Sequence, residues 1–113
     1  MAEPLRAGRR GRIAAQASAA LLALAGAAQA VAATRIVTIE GMQFAPSSLT
    51  VRRGDTVVWV NHDLVPHTAT AAGTFDSHAI APNKSWTYVA SKAGRHDYVC
   101  TLHPTMKATL VVE

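Results

Sequence analysis

The chain has 113 residues, enough for one small domain, and its 11 Lys and Arg against 7 Asp and Glu give a formal net charge of +4. Much of that excess sits at the front: residues 34–113 carry seven Lys or Arg against six Asp or Glu, and with Arg52-Arg53 an isolated pair this excludes a basic nucleic-acid stripe. Cys100 is the only cysteine, which excludes an internal disulfide.

In chain order, residues 1–33 read as an export leader. Arg6, Arg9, Arg10 and Arg12 stand against a lone Glu3, and the uncharged, Ala- and Leu-rich run Ile13 to Ala33 follows. Small residues in Ala28-Gln29-Ala30 and Ala30-Val31-Ala32 offer cleavage sites, so the mature start is expected near Val31 to Thr34. A retained membrane anchor is the competing reading, because about 20 residues suffice to cross a bilayer. Alanine contributes little to transfer, and Gln16, Ser18 and Gln29 interrupt the run, which favours cleavage. Arg9-Arg10 leaves a twin-arginine address open beside an ordinary secretory one.

From Arg35 onward apolar residues recur with the period of two that lines one face of a strand. Strands are expected at Ile36, Val37 and Ile39, at Leu49 and Val51, and at Val57 and Trp59. Later ones fall at Trp86, Tyr88 and Ala90, at His96, Tyr98 and Cys100, and at Ala108, Leu110 and Val112. Turn signals at Gly41, Pro46, Arg53-Gly54-Asp55, Gly73, Pro82-Asn83 and Gly94 separate them. A short helical turn is expected between Phe75 and Pro82. The expected fold for residues 34–113 is all-β, a Greek-key β-sandwich with its loops gathered at two ends.

The chemistry concentrates in Cys100-Thr101-Leu102-His103-Pro104-Thr105-Met106, where thiolate, imidazole and thioether donors stand three residues apart as a strand gives way to a loop. Alone, Cys-x-x-His-x-x-Met is a loose pattern, equally open to a buried small hydrophobe, a surface histidine and a gap-filling methionine. His67, 33 residues before the cysteine and stiffened by Pro66, adds a fourth donor. Two His and one Cys with a weak axial Met is the blue-copper arrangement, whereas zinc would prefer another nitrogen, thiolate or carboxylate to Met106. An exported free thiol is a liability, and metal ligation protects it. His62, His78 and His96 lack companions at ligand spacing and are read as exposed or ordinarily packed; Trp59, Trp86 and Tyr98 are read as core.

The chain resembles the cupredoxins over residues 35–113, nearest the amicyanin, pseudoazurin and plastocyanin branch. The likeness rests on Phe44-x-Pro46-x-x-Leu49-x-Val51-x-x-Gly54-Asp55-x-Val57-x-Trp59-x-Asn61, then Pro66-His67, Phe75-Asp76-Ser77, Gly94, Asp97-Tyr98 and Cys100-x-x-His103-Pro104-x-Met106-Lys107. It implies one type 1 copper held by His67 and His103 through imidazole nitrogen, by Cys100 through thiolate and by Met106 axially. It also implies that the Asn61 side chain ties the first histidine's loop to the cysteine loop through Thr101. Two positions depart from the family pattern: Leu102 where proline is frequent, and His78 where glycine is common. Leucine keeps the N–H that proline lacks, so a hydrogen bond from Leu102 to the thiolate is expected to raise the potential.

The implied function is a periplasmic, monomeric one-electron carrier that exchanges electrons with a donor and an acceptor protein. These partners are expected to dock around His103, with Val65, Leu102 and Pro104 as an apolar rim. Copper storage or delivery with the same ligands is the alternative. A copper enzyme is not expected, because a single fully ligated copper leaves substrate no open position.

Overall fold

A computed structural model describes Ala2 and residues 30–113; the leader expected over residues 1–33 falls almost wholly outside them. Val31–Glu113 form a compact unit of their own. Among the described residues all regular structure is strand, and no helix there is long and apolar enough to cross a membrane.

The strands are β1 (Thr34–Glu40), β2 (Gln43–Ala45), β3 (Ser48–Val51), β4 (Thr56–Asn61), β5 (Thr70–Ala71), β6 (Phe75–Asp76), β7 (Ser85–Val89), β8 (Gly94–Val99) and β9 (Lys107–Val112). They form two sheets, ordered β2-β1-β4-β7 and β3-β9-β8-β5-β6. β1 runs parallel to β4 with Val37 opposite Trp59, and β3 parallel to β9, while β8 and β9 pair antiparallel with Tyr98 opposite Ala108. This is the all-β sandwich expected from the alternating pattern.

Alternation explains the core. Along β1 the period of two turns Val37 and Ile39 inward and leaves Ile36 exposed; along β4 it buries Val57, Trp59 and Asn61. β9 buries Ala108, Leu110 and Val112 in the same way. Trp59 is fully buried at the centre, 5.6 Å from the Tyr98 ring in an edge-on contact and 5.5 Å from Trp86. Its indole N–H donates to the Tyr98 hydroxyl at 3.2 Å, so the two large residues are also joined through their polar ends. Tyr98 stands two residues before Cys100 on the same inward face, which pins the end of β8 against the opposite sheet.

The helical turn expected between Phe75 and Pro82 is corrected. Phe75 and Asp76 form β6 against β5, and Ile80 bridges to His67. The short strands β2, β5 and β6 were absent from the sequence reading because two or three residues cannot display an alternation.

Candidate metal centre

The first histidine is delivered by a folded loop after β4. Asn61, fully buried, uses its amide N–H groups to donate to the carbonyls of Val65 and Ile80, both at 2.9 Å, and its Oδ1 accepts from the Asp63 N–H at 2.9 Å. The loop is thus closed on itself and fastened to the segment carrying Ile80. His67 continues that fastening, donating its backbone N–H to Ile80 at 3.2 Å and accepting from the Ile80 N–H at 2.7 Å. The His67 ring has no exposed surface; Nε2 lies 2.8 Å from Asp63 Oδ2 and Nδ1 lies 3.7 Å from Cys100 Sγ.

The second loop is closed by its own backbone. Cys100 N–H donates to the Met106 carbonyl at 3.1 Å, Met106 N–H to His103 at 2.9 Å, and His103 N–H to Cys100 at 3.2 Å. Cys100 and Met106 are buried and His103 is half-buried. The rings of His67 and His103 meet with centroids 5.1 Å apart at 61°. His67, Cys100 and His103 therefore sit on adjoining loops at one end of the sandwich, and the same loop carries Met106. By themselves, no three His, Cys, Asp or Glu side chains among the described residues close into a metal-binding group. The part of the expected set in direct contact is the Nδ1–Sγ pair with the His103 ring against it.

Two expectations about the surrounding bonds are corrected. Asn61 does not reach Thr101: its amide is consumed by Val65 and Ile80. The tie between the two loops is Thr68, whose Oγ1 accepts the Thr101 N–H at 2.8 Å and lies 3.1 Å from Thr101 Oγ1. The N–H that reaches the cysteine sulfur is also that of Thr68, at 3.3 Å, and not that of the half-exposed Leu102. The reason is directional: His67 pairs with Ile80, and the next backbone N–H then points across to the other loop. Thr68 and Asp63 were missed because a threonine and an aspartate near a loop carry no periodic signal.

The donor chemistry fits copper. Imidazole nitrogen, a buried thiol that already accepts a backbone N–H, and a buried thioether form a set of borderline and soft donors. A Cupredoxin-like domain model matches residues 13–112. The chain belongs to the cupredoxin-like family. It is 33% identical over 84 residues to amicyanin of Paracoccus denitrificans, a stretch covering 69% of this chain and 64% of that protein. It is 30% identical over 106 residues to amicyanin-alpha of Methylorubrum extorquens, covering 85% of this chain and 89% of that one. The match likewise spans 64% of the length of amicyanin from Paracoccus versutus. Among solved structures, the Cu(I) form of a methionine-to-alanine variant of amicyanin superposes with a TM-score of 0.68 at 30% identity, covering 75% of this chain and 87% of that one.

Electrostatics around this cupredoxin's site centre on Asp63. The Met42 N–H holds its carboxyl below the usual range; burial opposes this, and the Gly41 N–H and the His67 ring add to it. Burial pushes the Tyr98 phenol up to about 12, against the lowering effect of the Trp59 N–H. Of the other histidines, His62 and His78 are exposed, and His96 is half-buried, with Nε2 2.8 Å from the Lys92 carbonyl. His78 has φ 54°, which accounts for glycine being common there; its N–H donates to Asp76 at 2.9 Å and its carbonyl accepts from Ser77 at 2.7 Å.

Proposed function

We propose that the chain is an exported one-electron carrier in which His67, Cys100, His103 and Met106 hold a single type 1 copper. The observation that carries this reading is the buried contact of His67 Nδ1 with Cys100 Sγ at 3.7 Å, with the Thr68 N–H on the same sulfur. The bound metal would supply one-electron chemistry between Cu(II) and Cu(I). The protein's contribution is rigidity: Asn61, Thr68 and the closed loop from Cys100 to Met106 hold the donors in one arrangement, so little reorganisation accompanies a change of charge.

Donor and acceptor proteins would dock at the loop end around half-buried His103. Leu64 at 92% exposure, Val65 at 41% and Leu102 at 50%, with exposed Pro104, give an apolar rim suited to brief association. Residues 1–33 would serve as a cleaved leader delivering residues 34–113 to the periplasm as a monomer. Intact mass of the exported protein should place its first residue between Val31 and Thr34.

The deciding experiment adds one equivalent of Cu(II) to the metal-free protein. An intense blue absorption that Cys100→Ser abolishes, and that bleaches and returns over repeated reduction and oxidation without copper loss, is the expected outcome. A colourless complex refutes the blue-copper site, and copper lost on each cycle would instead support storage or delivery.

A further inference from the structure

Asp63 is held by an unusual turn. β1 and β2 are joined by Gly41 and Met42, with φ of 61° and 60°, and Glu40 pairs with Gln43 across them. A two-residue hairpin with positive φ at both positions usually places glycine or asparagine there, whereas Met42 is neither. Its N–H donates to Asp63 Oδ2 at 2.9 Å, and the Gly41 N–H donates to Oδ1 at 2.7 Å. Successive N–H groups in such a turn form an anion cradle, and here the anion is a side chain of the same protein. The Asp63 N–H is itself held by Asn61 Oδ1. A carboxylate gripped at both oxygens and at its own backbone is oriented before any metal arrives, and its Oδ2 meets His67 Nε2 at 2.8 Å.

An imidazole has one N–H when neutral, and an acceptor-only carboxylate at Nε2 requires it there. Nδ1 is then bare, on the side facing Cys100 Sγ. We infer that Asp63 is the positioning residue for His67: it fixes the ring with Nε2–H on the carboxylate and the Nδ1 lone pair toward the sulfur, and it strengthens the ring as a donor. The second half rests on the copper reading above. A carboxylate behind a ligating imidazole raises its basicity, which favours Cu(II) over Cu(I) and lowers the reduction potential. A purely structural brace for the Gly41–Met42 turn would change stability without changing tautomer or potential.

The test compares the unmutated chain, Asp63→Asn, Asp63→Glu and Met42→Gly. On metal-free protein at mildly alkaline pH, nitrogen-15 NMR of the His67 ring should show a single Nε2–H tautomer in the unmutated chain and in Met42→Gly, which keeps both turn N–H groups. Asp63→Asn should populate the Nδ1–H form, because the amide can donate to Nε2, and Asp63→Glu should restore the original tautomer. On copper-loaded protein, Asp63→Asn should raise the Cu(I)/Cu(II) ratio at fixed poise about tenfold, equal to about 59 mV for one electron. An Nδ1–H tautomer in the unmutated chain overturns the inference, and this measurement needs no variant to fold. It is also overturned if Asp63→Asn leaves the tautomer, or the potential of a blue protein, unchanged. Absence of blue colour in the unmutated chain would refute the copper reading instead, and the metal-free tautomer would still decide the role of Asp63.

Discussion

Replacing Thr68 by valine tests the tie between the two loops that carry the proposed donors, with little change of shape. The hydroxyl accepts the Thr101 N–H at 2.8 Å and lies 3.0 Å from Thr70 Oγ1 and 3.1 Å from Thr101 Oγ1. Valine puts a methyl group in its place, so the Thr101 N–H loses its partner while Thr70 keeps its bond to Asp76 at 3.0 Å. A donor left without its partner costs about 1–3 kcal/mol; Thr101 is exposed enough for water to recover part of that, so about 2 kcal/mol is expected. For a domain of this size each 1 kcal/mol moves the midpoint by about 4–8 °C, giving a fall of about 8–16 °C. The measurement is calorimetry on metal-free protein, because a bound metal would add its own stabilisation and mask the loss. Copper-loaded Thr68→Val should remain blue, since the N–H at the sulfur belongs to the backbone, but it should release copper faster to a chelator. A midpoint lowered by less than about 2 °C, well below that range, would refute the claim that the hydroxyl joins the loops.

Asn61→Ala should destabilise the metal-free protein by about 2–4 kcal/mol, because it strands the Val65 carbonyl and the Asp63 N–H and removes one of the two donors on the Ile80 carbonyl, which keeps the His67 N–H; a loss under about 1 kcal/mol in denaturant titration would refute this. Leu102→Pro should keep the potential within about 30 mV, half of the 59 mV that marks a tenfold step, because Thr68 supplies the N–H at the sulfur; a larger fall in voltammetry would restore the Leu102 bond. For Tyr98, the folded phenol at about 12 lies above its ordinary 10, so its contribution is complete below pH 10 and is lost as pH rises to about 12. The loss is on the order of 3 kcal/mol, and urea titrations between pH 9 and 12 should show it in the unmutated chain and not in Tyr98→Phe.

Alternation alone placed Val37, Ile39, Val57, Trp59, Leu110 and Val112 inward, because a strand's side-chain period is two and one face must leave water. The proposed donors stand out for a different reason: Cys100, His103 and Met106 lie three residues apart, a pattern loose by itself, and His67, 33 residues before the cysteine, adds the second imidazole that a blue-copper set needs. The two- and three-residue strands were not legible, and Phe75 to Pro82 was misread as helical, since its β6 and Ile80 pairings depend on β5 and His67 being beside them. The hydrogen bonds behind the site belong to the same class. Asn61 was expected to tie the first histidine's loop to the cysteine loop, but its partners follow from where Val65 and Ile80 come to rest, and Thr68 stands in the role expected of Asn61. Asp63 meets His67 only because the β1–β2 turn grips the carboxylate from 21 and 22 residues away in sequence. The identity of a donor is a property of its side chain and survives in the sequence; its partner is set by distance and direction between separate loops, which exist only once the sheets have packed.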